Sequence, residues 1–169
     1  APGDRTRAGP VPEARIVGVG AEVDVSGDVT VTALSTESIL SIAANAGVGT
    51  GSVGVGATAA IQVITTETRA YIEDDIAADN TEVIAGQDVT IEATGNIDIK
   101  IIAAAIGAGN SVGVGAGNET LVHDDTVEAY IGNYVEVDSH GSDGVRISAN
   151  SSEELIGITA AGSGGGSVA

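Results

Sequence analysis

Between Asp28 and Ala33 the chain reads Asp-Val-Thr-Val-Thr-Ala, with apolar and polar residues alternating. The pattern returns as DVTIEA at 88–93 and as GVRISA at 144–149. Period-two alternation predicts a half-buried strand, one face in a core and one in water. Each copy follows a glycine-bearing turn, SGD, AGQD or HGSDG, which is the punctuation a strand start needs. The next stretches, 39–49 and 97–109, are apolar on both sides, and their outward residues read as mostly Ala and Gly. Ile42, Ala44, Ala46 and Val48 can share one face, with Ser41, Ala43, Asn45 and Gly47 on the other. After a small-residue turn comes Val-Gly-Val-Gly-Ala, where Val53, Val55, Ala57, Ala59, Ile61 and Val63 fall on one side. A third part, TETRAYIEDD at 66–75, matches DDTVEAYIGNY at 124–134, and acidic turn-rich connections of variable length follow it.

These pieces recur in a fixed order. STESILSIAANAGVGTGSVGVGA at 35–57 aligns without a gap on TGNIDIKIIAAAIGAGNSVGVGA at 94–116, and 151–169 begins a third copy. The period is about 57–60 residues, the mark of a solenoid, propeller or array. Short, glycine-punctuated alanine runs flanked by β-branched residues argue against helix. Matched strands with tight Asn-Gly or Asp-Gly hairpins, which propeller blades use, are scarce. The predicted fold is therefore all-β, a right-handed parallel β-helix or β-solenoid. Counting about five strands per repeat, two or three coils per repeat are expected. Residues 1–15 hold all three prolines and read as a linker or flexible arm. Residues 16–169 read as one solenoid domain, with repeats roughly 28–87, 88–143 and a truncated 144–169.

Composition narrows the core. There is no Phe, Trp, Met or Cys, and the only aromatics are Tyr71, Tyr130 and Tyr134. A thick globular core uses bulky rings, so a narrow core of branched and small residues is expected. The net charge of −18 is spread along the chain, consistent with a solvated surface. Only Arg69, Lys100 and Arg146 are basic beyond residue 15, which argues against a nucleic-acid partner. Without cysteine, disulfides, zinc–thiolate sites and thiol chemistry are excluded. No stretch has the length of a secretory signal or a membrane-spanning helix. The chain starts and stops out of phase with its repeat, so it reads as a window of a longer array or as a unit that stacks end to end.

DVTVTA, DVTIEA, the SVGVGA strands and TVEAYIGNYVEVDSHGSDGVRISA together resemble the repeat region of giant filamentous-haemagglutinin-like and leukotoxin-type filamentous adhesins of Gram-negative bacteria. The resemblance covers about 16–169. It implies an extracellular or cell-surface shaft, often exported by an outer-membrane partner. The family's secretion domain and receptor-binding tip have no counterpart here.

Candidate chemistry is sparse. Glu73, Asp74, Asp75 and Asp79 could offer oxygen ligands to calcium, and Asp74, Asp75 and Asp79 are the candidate metal residues. Their spacing fits neither an EF-hand nor a calcium roll, and a solvated acidic turn is the plainer reading. His123 stands beside Asp124 and Asp125, but in the alignment these match Ile64, Thr65 and Thr66, an inward place that suits a core histidine. His140 is the other histidine. GVGVG lacks the GxxxxGK[ST] context of a nucleotide loop; its glycines suit close backbone approach. Thr30/Thr32 and Thr66/Thr68 resemble ice-binding pairs without recurring in the other copies. Tyr71 and Tyr130 match, yet two or three coils between them would hold them ~10–14 Å apart.

The expected function is a non-catalytic structural shaft of an extracellular adhesin or self-assembling filament. It needs no cofactor. Its expected partners are further copies, end to end or laterally through Ala/Gly-rich faces, and a host or neighbouring cell surface or polysaccharide. The alternatives are a calcium-dependent binding module and a β-helix polysaccharide lyase or hydrolase. The enzyme needs calcium with a basic residue, or paired carboxylates, and aromatic sugar platforms that this composition disfavours.

Overall fold

The structure is a computed structural model that describes residues 11–74, 76–77 and 80–166. Among the described residues nine strands follow in order: β1 (Glu13–Val17), β2 (Glu22–Val25), β3 (Val29–Val48), β4 (Val53–Glu73), β5 (Thr81–Ala85), β6 (Val89–Gly109), β7 (Val112–Ile131), β8 (Val135–Ser139) and β9 (Val145–Gly165). No helix occurs among the described residues. The sheets run β1-β4-β7, β2-β5-β8 and β3-β6-β9, so every third strand stacks on the one before. The pairing is parallel, with Glu13 beside Arg69, Glu22 beside Glu82 and Thr81 beside Val135. The fold is a parallel β-solenoid.

Directly bonded neighbours lie one whole repeat apart. One repeat is therefore one turn, not the two or three coils expected from strand counting. Each complete repeat holds two strands of 20 or 21 residues and one of five. DVTVTA runs into the alanine-rich stretch through Leu34–Ser38 without a break, because no Gly or Pro interrupts it. VGVGA runs into TETRAYIE in the same way. Ile16 lies beside Ile72, so β1 stacks on the Ala70–Glu73 end of β4. Strand β1 opens at Glu13, inside the stretch read as an arm.

Contacts divide the chain into two units: 1–36, 65–96 and 124–152 form the first, and 37–64, 97–123 and 153–169 the second. In the first unit Val29, Val31, Ala33, Ala70, Ile72, Val83, Ala85, Val89, Ile91 and Ala93 make the core. All are aliphatic, as the composition requires. In the second unit the core is Ala60, Ile64, Ile97, Ile99, Ile101 and Ala103.

In the second unit the inward side chains of β6 shrink along the strand. Strand β6 turns in Ile97, Ile99, Ile101, Ala103, Ala105 and then Gly107. A Cβ built on Gly47 would overlap the Val55 carbonyl, and one on Gly107 would overlap that of Val114. Facing backbones touch there, so only glycine fits inside. The branched residues consequently point out: Ile42 is 64 % exposed, Val48 77 % and Val55 62 %. The expected Ala/Gly exterior of this region is thus reversed.

Candidate functional site

The outward face of β1-β4-β7 carries the most chemistry. Period two and the register bring Glu13, Arg69 and Glu128 into one column and Arg15, Tyr71 and Tyr130 into the next. The tyrosine rings stack, with centroids 4.9 Å apart and planes 4° from parallel. That spacing is one strand-to-strand step, and it overturns the expected 10–14 Å separation, which assumed several coils per repeat. Tyr71 donates its hydroxyl hydrogen to the Glu13 carboxylate, and Arg15 Nη1 lies 3.5 Å from the same hydroxyl oxygen. Arg69 Nε donates to Glu128 Oε2 at 2.9 Å, while its Nη2 pairs with Glu67.

These partners shift titration in the expected directions. The hydrogen bond to Glu128 raises the Arg69 guanidinium above its ordinary value. The hydrogen bond to Tyr71 does the same for Arg15. Burial, reinforced by the Glu73 charge, pushes the Tyr130 phenol up. Beside Tyr130 an open groove of about 570 Å³ is lined by Arg69, Val127, Glu128, Ala129, Tyr130 and Ala149. Within it Arg69 and Glu128 already satisfy one another. What remains is a flat ring edge and aliphatic surface, which suits contact with another strand or a ring and supplies no nucleophile–base pair.

Asp74 sits at the end of β4, 2 % exposed. Its Oδ1 accepts from the Ile76 amide at 2.9 Å, and its Oδ2 from the Thr81 hydroxyl at 2.9 Å and the Gly20 amide at 3.3 Å. The Ile76 amide, ahead of Thr81 and Gly20, holds this carboxyl below the usual range against the opposing effect of burial. Both oxygens therefore clamp the turn into β5. Asp75 and Asp79, the other calcium candidates, lie outside the described residues. Among the described residues no group of three or more His, Asp or Glu side chains is arranged to hold a metal ion.

The Asp74 clamp has a pH signature. A carboxyl with a depressed folded pKa contributes its full stability above its unfolded pKa and loses it as pH falls through the folded one. The melting temperature should fall on acidification below about pH 4. Asp74→Asn should start lower at neutral pH and fall less steeply. Parallel thermal melts of the two proteins check this.

The trio His123, Asp124 and Asp125 is split by the strand's alternation. His123 and Asp125 turn inward, and Asp124 is exposed. In the second unit the His123 ring has its Nδ1 3.7 Å from Glu153 Oε2, and its Nε2 is buried without a hydrogen-bond partner. In the first unit Asp125 accepts from Thr66 Oγ1 at 2.5 Å and from Ser151 Oγ at 2.8 Å. That bridge was missed as a unit, although the alignment places Asp125 on Thr66. His140 is exposed, with Nδ1 3.2 Å from the Ala85 carbonyl oxygen. Thr66 and Thr68 are buried while Thr30 and Thr32 are exposed, so the two threonine pairs share no surface.

No protein-family model, no curated protein and no solved structure matches this chain.

Proposed function

We propose that the chain is a non-catalytic structural shaft of an extracellular bacterial adhesin or surface filament. The observation that carries the reading is where the polar chemistry goes. Many of the specific side-chain bonds join one turn to the next: Arg69 to Glu128, Thr66 to Asp125, Tyr71 to Glu13, and Asp88 Oδ1 to the Asp143 and Gly144 amides. Such columns build a stack of rungs, and stacked rungs make reach and surface. The resemblance of the repeats to filamentous adhesins supports the extracellular setting. The open edge of β9 leaves apolar side chains uncovered. Val145 and Ile147 of β9 are 42 % and 46 % exposed, whereas Val89 and Ile91, their counterparts in β6, are fully buried. A further rung would cover them.

The experiment is antibody labelling of the bacterium that encodes the chain. The shaft reading expects intact cells or their shed fibres to be labelled. Labelling only after permeabilisation would end it.

A further inference from the structure

Part of the second unit turns an uncharged, β-branched relief to solvent. Residues 40–64, 101–118 and 155–166 contain no charged side chain in a chain of net charge −18. The rung-to-rung bonds, Val29 to Asp88, Gly49 to Ala108 and Val89 to Gly144, set the register of β3, β6 and β9. On the outward face this puts Ile42, Ile102 and Ile158 in one column and Ala44, Ala104 and Ala160 in the next. Ile42 and Ile158 are 64 % and 50 % exposed. The face is thus a ridge of isoleucine beside a furrow of alanine.

We propose that this face of β3-β6-β9 is a lateral docking surface for a second copy of the chain, isoleucine ridge into alanine furrow. The proposal deepens the shaft reading, on which its biological setting rests, by naming the partner and the residues. Three observations select the occupant. A ridge beside a furrow is complementary to itself when rotated about a two-fold axis, as an isologous interface requires. Interdigitated flat sheets of small and branched residues pack dry in the same manner. The charge pattern favours a copy: two bodies of charge −18 repel, and this uncharged band is where they can approach. A charged protein partner would find nothing here to steer it. A lipid surface is held by basic and aromatic anchors, and the basic residue beside the isoleucine column, Lys100, is already paired with Asp98 at 2.6 Å.

The size of the face sets the strength. About nine residues at ~3.3 Å, over three rungs at ~4.8 Å, give roughly 400 Å² per copy. A pair buries about 800 Å², below the ~1,200 Å² of a stable complex. Three rungs therefore associate weakly, and association grows with the number of rungs presented.

Sedimentation velocity of the full chain over a concentration series, at low and high salt, tests the proposal. The weight-average mass should rise with concentration, and rise further at high salt as repulsion is screened. Ala104→Lys, which fills the furrow with a charge, should weaken association by about tenfold or more. Ala104→Ser, milder to the fold, should leave it near wild type. Val114→Lys, on the outward side of β7, should not change it once circular dichroism confirms the fold. A wild type that stays monomeric at high concentration and high salt would overturn the proposal. So would Ala104→Lys that is folded and associates as wild type does. Co-sedimentation with phosphatidylcholine vesicles would overturn it in favour of lipid. Cell labelling decides the shaft reading separately, so failure of either leaves the other standing.

Discussion

Gly107→Val is expected to cost at least about 3 kcal/mol, the range of severe overpacking. Gly107 is buried in β6, and an added Cβ would strike the carbonyl oxygen, carbonyl carbon and nitrogen of Val114. All three are backbone atoms, so no side-chain rotation relieves the clash. Either the two strands separate, exposing the Ile97–Ala105 row they cover, or β6 and β7 lose their pairing near the tip. A loss of that size is a large fraction of the 5–15 kcal/mol that holds an ordinary domain. Gly164→Ala is the control: nothing lies within 4 Å of the added Cβ, and the change should stay within about 0.5 kcal/mol. Urea denaturation of the two variants beside wild type gives both numbers.

Ile91→Ala should cost about 2–5 kcal/mol. Ile91 is fully buried among Val31, Val83, Val89 and Ala93 in the first unit's core. With no aromatic side chain in that core, neighbouring residues are small and branched, and they have little reach to collapse into the cavity. Ile147→Ala removes the same atoms from the matching place in β9, where the side chain is 46 % exposed. Its loss should be about 1 kcal/mol or less, since little apolar area is withdrawn from water there. The same substitution at two heights of one column separates burial by stacking from intrinsic strand preference. Equal losses at both would contradict the stacking order.

The parallel solenoid was legible because long-range order here is written as short-range repetition. DVTVTA, DVTIEA and GVRISA share a period-two pattern, and parallel stacking places equivalents side by side. The absence of bulky aromatics pointed correctly to a narrow aliphatic core.

Two features were not legible by the same route. Coils per repeat depend on whether successive strand-like segments join or turn. Leu34–Ser38 carries no breaker, and its continuity was outweighed by the change of composition on either side. The face that turns inward is a parity question, which period two alone leaves open. Had the inward parity of Val29, Val31 and Ala33 been carried unbroken to Gly47, the glycines would have fallen inside and Ile42 and Val48 outside. The usual weight given to burying valine argued the other way. It fails here because facing backbones come too close for any side chain.

The site was less readable. The Tyr71–Tyr130 stack needed the coil count, and the Arg69–Glu128 and Thr66–Asp125 bonds needed the register. Asp74 drew notice as one of several acidic residues. Its actual partners, the amides of Gly20 and Ile76 and the Thr81 hydroxyl, include two backbone groups that no residue pattern announces.

The central claim is that one repeat makes one turn. The chain has no cysteine of its own, so pairs can be introduced cleanly. Glu82 and Glu136 are register partners in β5 and β8, and both lie on the outward side of their strands. Parallel neighbours stand ~4.8 Å apart. Glu82→Cys with Glu136→Cys should therefore be bridged within one molecule by a short bifunctional thiol reagent, at a rate independent of protein concentration. Folded protein in which this pair is not bridged would contradict the account.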